Sequence, residues 1–115
     1  MPDPDDAFDT RLLPAEIDPS RPEPIETPWG SFAIFSLGGR LVAVQSFCPH
    51  MQGPLFQGTL AGDSLTCPWH EWRFSLATGN RIDLDGRELA GGSTLALLDV
   101  RLGSGGTILL SPRRT

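Results

Sequence analysis

Residues 47–80 read FCPHMQGPLFQGTLAGDSLTCPWHEWRFSLATGN and contain both cysteines and both histidines of the 115-residue chain. They form two pairs, Cys48 with His50 and Cys67 with His70, and residues 51–66 separate the pairs. A proline follows each cysteine, and because proline fixes its own φ it limits how far the neighbouring side chains can move. Two stiff loops, each with one thiol and one imidazole, predict a metal site.

Two thiolates and two imidazoles can bind metal in two ways. All four could surround a single tetrahedral Zn²⁺. Alternatively, both thiolates could hold one iron of a [2Fe–2S] cluster while both imidazoles hold the other. Zinc sites usually pair their cysteines at C-x2–4-C spacing, so the mixed C-x-H and C-x-x-H pairs favour the iron–sulfur alternative without excluding zinc.

Short apolar runs separated by turn residues lie on both sides of the two loops. The chain has 13 Gly and 11 Pro, which favour short strands and many turns over long helices. The dipeptides Gly38-Gly39 and Gly62-Asp63 are typical of hairpin turns. We therefore predict an all-β fold, an antiparallel sandwich or partial barrel. The main strands are predicted at about 23–27, 31–37, 40–46, 94–102 and 107–111, and the stretch around 82–92 is noted for its polar and glycine residues.

The negative charge of the chain is concentrated at its N-terminus. Residues 1–30 hold eight acidic residues against two arginines, a net charge of −6, whereas the remaining 85 residues hold six acids and seven arginines. Five prolines within the first 22 residues prevent a continuous helix. We predict an acidic, irregular N-terminal arm over 1–22 and a single domain over 23–115. With no clustered basic face, nucleic acid is not an expected partner.

The sequence offers no membrane-spanning or secretory segment. No apolar run approaches the 18 or so residues that a membrane helix needs, and the acidic start MPDPDDAFDT lacks the basic and apolar regions of a signal peptide. We expect a soluble, cytoplasmic protein without a membrane partner. In that compartment a disulfide between the two cysteines is disfavoured.

The segments CPHMQGPLFQG (48–58) and LTCPWHEWRFSLATGN (65–80) resemble the cluster-binding segment of Rieske ferredoxins and of the Rieske domains of aromatic-ring dioxygenases. The resemblance is close over about 46–80 and looser over 23–112. It implies a Rieske-type fold with a two-loop cluster-binding subdomain at about 46–76 and one [2Fe–2S] cluster per chain. By the same resemblance, Cys48 and Cys67 ligate the inner iron, and His50 and His70 ligate the outer iron near the surface.

The resemblance also implies roles for residues beside the ligands. Trp69, between two ligands, is expected to cover the cluster, and Trp72 is expected in the core. Glu71 stands where the family usually has glycine, so it adds a side chain beside His70. Leu55 and Met51 fit either a core or a docking position. The residues expected around the cluster or on a docking surface are Met51, Gln52, Gly53, Pro54, Leu55, Trp69, Glu71 and Trp72.

The function implied is that of a ferredoxin, which takes one electron from a reductase and passes it to a terminal oxygenase or a similar enzyme. The chain is too short to add a catalytic domain, and once both histidines hold the cluster no 2-His-1-carboxylate iron site is possible. We therefore expect no substrate-converting site. The alternatives are a small Rieske subunit of a nitrite reductase-like complex and a zinc-bound structural module.

The sequence also predicts a low reduction potential within the Rieske class. High-potential members carry an extra cysteine in each loop and hydroxyl donors to the cluster sulfurs. The matching positions are Gly53 and Trp69 for the cysteines, and Trp72 and Phe74 for the hydroxyl donors. Because fewer donors stabilise the reduced, anionic cluster less, we expect a potential near the low end of the range of roughly −150 to +300 mV.

Overall fold

The computed structural model describes residues 7–18, 22–37, 39–48, 52–69, 72–83 and 85–113. Within these ranges, no helix is long and apolar enough to cross a membrane. Regular structure in the described part of the chain consists of short strands and two 3₁₀ turns, Pro14–Glu16 and Leu55–Gln57. The strands are β1 Phe8–Asp9, β2 Pro24–Thr27, β3 Gly30–Leu37, β4 Arg40–Gln45, β5 Thr59–Ala61, β6 Ser64–Thr66, β7 Arg73–Ser75, β8 Asn80–Ile82, β9 Glu88–Thr94, β10 Leu97–Leu102 and β11 Ile108–Pro112.

The strands form two antiparallel sheets, which confirms the predicted all-β fold. The larger sheet, nearly closed on itself, has the order β1-β11-β10-β4-β3-β2, and the smaller sheet has the order β5-β6-β7-β8-β9. The Gly62-Asp63 turn joins β5 to β6 in a hairpin with Ala61 opposite Ser64, as predicted. The first cysteine loop connects the two sheets, because it lies between β4 and β5, whereas the second lies within the smaller sheet, between β6 and β7.

The central strands of the larger sheet are buried on both faces. On β3, Ala33 and Phe35 pack into one apolar cluster, while Phe32 and Ile34 pack into another. Successive side chains of a strand point to opposite faces, so the sheet separates two cores. The first core also contains Cys48 and Cys67. The metal loops are thereby anchored in the apolar interior between the two sheets.

The predicted strands match the structure except in the segment before β10. The predicted strand at 94–102 begins only at Leu97, because Thr94 ends β9 and Leu95 leaves the sheet. There the Leu95 N–H donates to the Gly79 carbonyl at 2.8 Å, and the side chain is buried in the first core. The stretch around 82–92, noted for its polar and glycine residues, contains the start of β9 at Glu88. Its glycines and polar residues lack apolar alternation, and its pairing with β8 places it in the sheet.

The N-terminal arm is more regular than predicted. In β1, Phe8 lies opposite Leu110 of β11, and Pro14–Glu16 forms a 3₁₀ turn, so the expectation of irregular chain over 1–22 is wrong for these residues. The physical reason is apolar packing, because Phe8 and Ile17 are partly buried against the second core. The division between arm and domain at residue 22 stays a prediction.

Candidate metal centre

The first cysteine loop is closed by backbone hydrogen bonds. The Cys48 N–H donates to the Gly53 carbonyl at 2.8 Å, and the Gln52 N–H donates back to the Cys48 carbonyl at 2.8 Å. Gln52 has a φ of 61°, the left-handed conformation that non-glycine residues adopt rarely. Phe47 and Pro54 form a β-bridge at the base of the loop. These contacts fix the position of the Cys48 backbone at the start of the loop.

The second cysteine loop repeats this closure. The Cys67 N–H donates to the Trp72 carbonyl at 2.7 Å, so in each loop the cysteine N–H bonds to the carbonyl five residues later. Cys67 follows β6 directly, and Trp72 directly precedes β7. The antiparallel pairing of these strands, with Thr66 opposite Arg73, therefore sets the ends of the second loop.

The two thiols are free, buried and close together. Cys48 is 1% exposed and Cys67 is 0% exposed, and neither forms a disulfide. Burial raises the pKa of the Cys67 thiol, and the neighbouring Cys48 thiol, within hydrogen-bonding contact, raises it further. The Trp69 backbone N–H donates to the Cys67 sulfur and lowers this pKa in part. Such a donor also stabilises a metal-bound thiolate.

The two loops touch each other at a glycine. A Cβ atom on Gly53 would lie 2.8 Å from Cδ2 of Trp69 and 2.9 Å from its Cγ. No side chain fits there unless the indole moves, so glycine lets the loops close. Trp69 is itself 49% exposed. The indole thus lies over the first loop with one side in solvent.

Buried residues beneath the loops hold them in place. Ser46 is fully buried, and its hydroxyl accepts a hydrogen bond from the Ser31 hydroxyl at 2.9 Å. Leu55 and Phe74 are also fully buried in the first core. Trp72 is partly buried against that core, with the Cζ atom of Arg81 3.4 Å from a Trp72 ring centroid.

The structure brings together part of the predicted site. Cys48 and Cys67 lie close together, Gly53 lies against Trp69, and Gln52 and Pro54 lie on the first loop. Of the two positions that fit Leu55, the structure shows the core position. Four predicted site residues lie outside the described part of the chain: His50, Met51, His70 and Glu71.

Two residues beside the loops were not singled out from the sequence. Phe47 is 41% exposed next to Cys48 and packs edge-on against Phe56; an apolar residue directly before the ligand was a usable signal. Arg81 offered no signal, because only the β7–β8 register, with Phe74 opposite Arg81, brings it to Trp72.

The described donor set fits a cluster held by thiolates. Two adjacent free cysteines converge from two closed loops, and a backbone N–H points at one sulfur. Fe–S clusters are held by Cys thiolates and tuned by hydrogen bonds to sulfur. An all-β domain with this pair of buried thiols therefore fits the class of small iron–sulfur proteins.

The chain belongs to the Rieske [2Fe-2S] domain family, whose family model matches residues 12–89. A [2Fe–2S] cluster is accordingly the cofactor of this domain. The human protein apoptosis-inducing factor 3 is 34% identical over 62 residues, which are 54% of this chain and 10% of that protein. The oxygenase component of 3-ketosteroid-9-alpha-monooxygenase from Rhodococcus rhodochrous is 36% identical over 56 residues, 48% of this chain and 14% of that protein. The chain thus spans about a tenth of the length of these curated relatives.

Two solved structures share the fold over nearly the whole chain. The ferredoxin of carbazole 1,9a-dioxygenase from Nocardioides aromaticivorans superposes with a TM-score of 0.72 at 20% identity, covering 93% of this chain and 98% of the ferredoxin. A structure of the reduced oxygenase with the oxidized ferredoxin of carbazole 1,9a-dioxygenase contains a chain with a TM-score of 0.73 at 18% identity, covering 96% of this chain and 98% of that one. These likenesses establish the Rieske ferredoxin fold.

Proposed function

We propose that this protein is a one-electron carrier that takes an electron from a reductase and passes it to a terminal oxygenase or a similar acceptor. The observation that carries the proposal is the fold: the ferredoxin of a carbazole dioxygenase superposes on 93% of this chain with a TM-score of 0.72. Membership of the Rieske family supplies the redox group. The oxygenase component among the relatives supports an oxygenase as the acceptor.

In this proposal four side chains hold the cluster. The Cys48 and Cys67 thiolates bind one iron, and the His50 and His70 imidazoles bind the other. Two Fe³⁺, two sulfides, two thiolates and two neutral imidazoles sum to zero charge, so adding one electron gives −1. The buried position of both cysteines keeps water from the thiolates. Replacing two thiolates by neutral imidazoles raises the potential relative to an all-cysteine cluster.

The proposed docking surface includes two exposed aromatic residues beside the cysteines. Trp69 and Phe47 are 49% and 41% exposed, which is unusual for large apolar side chains, and both are within one or two residues of a cysteine. Exposed Gln52 adds a polar group on the first loop. Weak electron-transfer complexes bury little surface, so a few exposed aromatic residues beside the cluster suffice for a transient contact.

The proposal includes no substrate chemistry in the chain itself. Both histidines of the sequence are assigned to the cluster, so none is left for a mononuclear 2-His-1-carboxylate iron site. We also propose a cytoplasmic location, because such carriers work beside soluble reductases.

A direct electron-transfer assay tests this function. Protein reduced with one equivalent of dithionite is mixed anaerobically with the oxidized oxygenase of carbazole 1,9a-dioxygenase, and the visible spectrum of each partner is followed. We expect one electron to pass per chain, and Trp69→Ala to slow the second-order rate about tenfold. Leu102→Ala is the matched control, because Leu102 is an exposed apolar residue, 56% exposed. It lies at one end of β10, whereas the Leu97–Val44 pair at the other end adjoins the first loop.

Two results would count against the proposal. If no electron passes from the reduced protein to an oxidized Rieske oxygenase, the carrier function is wrong. If Trp69→Ala and Leu102→Ala both transfer at the wild-type rate, the surface around Trp69 is not the docking surface.

A further inference from the structure

Arg81 is stacked on the tryptophan that ends the second cysteine loop. Its Cζ atom lies 3.4 Å from a Trp72 ring centroid, which is well within the range of a cation–π contact. A register shift between Asn80 and Arg81 interrupts the β8–β9 pairing at this point. Irregularities of this kind often re-aim a side chain.

The positive charge of Arg81 has no carboxylate partner in the described part of the chain. The ion pairs found there join Arg40 to Asp63 and Arg113 to Asp99. The Nε atom of Arg81 is buried and lacks a hydrogen-bond partner within the same residues. A partly buried guanidinium without a counter-ion is costly unless another negative group offsets it.

Two acidic side chains in or beside the small sheet, among the residues that the structure describes, are engaged elsewhere. Glu88 accepts hydrogen bonds from the Thr78 hydroxyl at 2.6 Å and from the Asn80 amide at 3.1 Å. The Asp83 carboxylate accepts the backbone N–H groups of Asp85 and Arg87, both at 2.9 Å. Within the described residues, neither of these carboxylates neutralises the charge of Arg81.

Trp72 connects Arg81 to the cluster ligands. Its carbonyl accepts the Cys67 N–H at 2.7 Å, and its ring packs against the core that contains both cysteines. The ring centroid of fully buried Phe74 lies 6.3 Å from that of partly buried Trp72, so two apolar rings line this side of the core. A charge acting through such a medium is screened less than one acting through water.

We propose that Arg81 is an electrostatic tuning residue that raises the reduction potential of the cluster by stabilising its reduced, anionic state. This rests on the proposed function, in which one electron from an external donor reduces one Fe³⁺ to Fe²⁺ and changes the net charge from 0 to −1. A fixed positive charge stabilises the −1 state more than the neutral state. Trp72 keeps the guanidinium in place.

The test is the midpoint potential of the cluster, measured by dye-mediated redox titration in an optical cell for four variants. Arg81→Gln and Arg81→Met remove the charge, and Met keeps an apolar stem against Trp72. Arg81→Lys keeps the charge. Arg101→Gln is the matched control, because exposed Arg101 lies opposite Leu109, at the end of β10 away from the cysteine loops.

We expect the equilibrium constant for one-electron reduction to fall about tenfold in Arg81→Gln and Arg81→Met, which corresponds to about 59 mV. Arg81→Lys and Arg101→Gln should stay within twofold of wild type. Thermal unfolding is recorded in parallel, since lost stacking changes stability without changing the potential. If Arg81→Gln does not bind a cluster, the midpoint potentials of Arg81→Met and Arg81→Lys are compared instead, because these two variants differ in charge.

The inference is overturned if loaded Arg81→Met and Arg81→Lys share one potential, or if Arg101→Gln shifts it as far as Arg81→Gln. Failure of the proposed function would give a different experimental result. The wild-type protein itself would then lack a reducible cluster or would not transfer its electron to an oxygenase.

Discussion

Gly53 of the first cysteine loop lies directly against the indole of Trp69 in the second, where an added Cβ atom would be 2.8 Å from the ring. The loops that carry the two halves of the metal site are thus in van der Waals contact. Their spacing is set by the absence of a side chain at one residue. The geometry of the centre therefore depends on a residue that ligates nothing.

Gly53→Ala should separate the two loops. Overpacking of a closely packed site costs about 1–3 kcal/mol. Here the added Cβ atom would meet the rigid indole ring of Trp69 rather than the flexible end of a side chain. We expect lower iron content per chain after cluster reconstitution and a lower midpoint of denaturation. Iron analysis and guanidinium unfolding measure the two effects.

Two further variants make that prediction specific. At Gly105 an added Cβ atom meets nothing within 4 Å, so Gly105→Ala should leave iron content unchanged. In a Trp69→Ala background the cost of Gly53→Ala should fall substantially, because the obstructing ring is gone. An equal loss in both backgrounds would show that Gly53 matters for a reason other than Trp69.

Removing the Ser46 hydroxyl should destabilise the base of the first loop. Ser46 is fully buried, and its oxygen accepts the Ser31 hydroxyl hydrogen at 2.9 Å. Ser46→Ala leaves the Ser31 hydroxyl without this acceptor, and a lost hydrogen bond of this kind costs about 1 kcal/mol. Chemical denaturation of both proteins measures the difference. Ser104→Ala, on an exposed turn, should cost nothing measurable.

Glu88 should make a pH-dependent contribution to stability. Hydrogen bonds from Thr78 and then Asn80 lower the pKa of the Glu88 carboxyl in the folded protein. A lowered folded-state pKa contributes stability above the unfolded pKa, and that contribution is lost as the pH falls through the folded pKa. The melting temperature of Glu88→Gln should therefore lie slightly below that of wild type at pH 7, and the difference should shrink in acid.

The control for this pH effect is Glu26→Gln, which makes the same charge change at an exposed position on β2. Its difference from wild type should not follow the same pH profile. A Glu88→Gln difference that persists unchanged into acid would contradict the assignment to the carboxylate.

The reduction potential should lie near the low end of the Rieske range of roughly −150 to +300 mV. The chain contains no tyrosine, and the aromatic residues Trp72 and Phe74 offer no hydroxyl donor to the sulfurs. The donor that the structure does show is the Trp69 N–H to the Cys67 sulfur. Protein-film voltammetry at pH 7 measures the potential, and a value well above about 0 mV would contradict this account.

The sequence predicted the elements whose physical signal is local. The Gly62-Asp63 turn and the short apolar runs at 31–37 and 40–46 were sufficient to place those hairpins, and the proline-stiffened Cys-His pairs indicated the metal loops. Family resemblance then assigned the cluster. Each of these inferences depends on residues within a few positions of one another.

The features that the sequence did not predict depend on distant parts of the chain. β9 forms because it pairs with β8, although its own residues favour turns, and Phe8 becomes a strand residue because Leu110 lies opposite it. Arg81 reaches Trp72 through the register of β7 and β8. No local pattern could indicate these contacts, because their energy comes from tertiary packing.

The most direct test of the central claim is electron paramagnetic resonance of the dithionite-reduced protein, together with analysis of iron, zinc and acid-labile sulfide. The account predicts a rhombic signal with average g below the free-electron value, two irons and two sulfides per chain, as the [2Fe–2S] family requires, and loss of the signal in Cys67→Ser. A silent spectrum with one zinc per chain, in protein purified without exposure to air, would contradict it and assign the four ligands to a structural zinc ion.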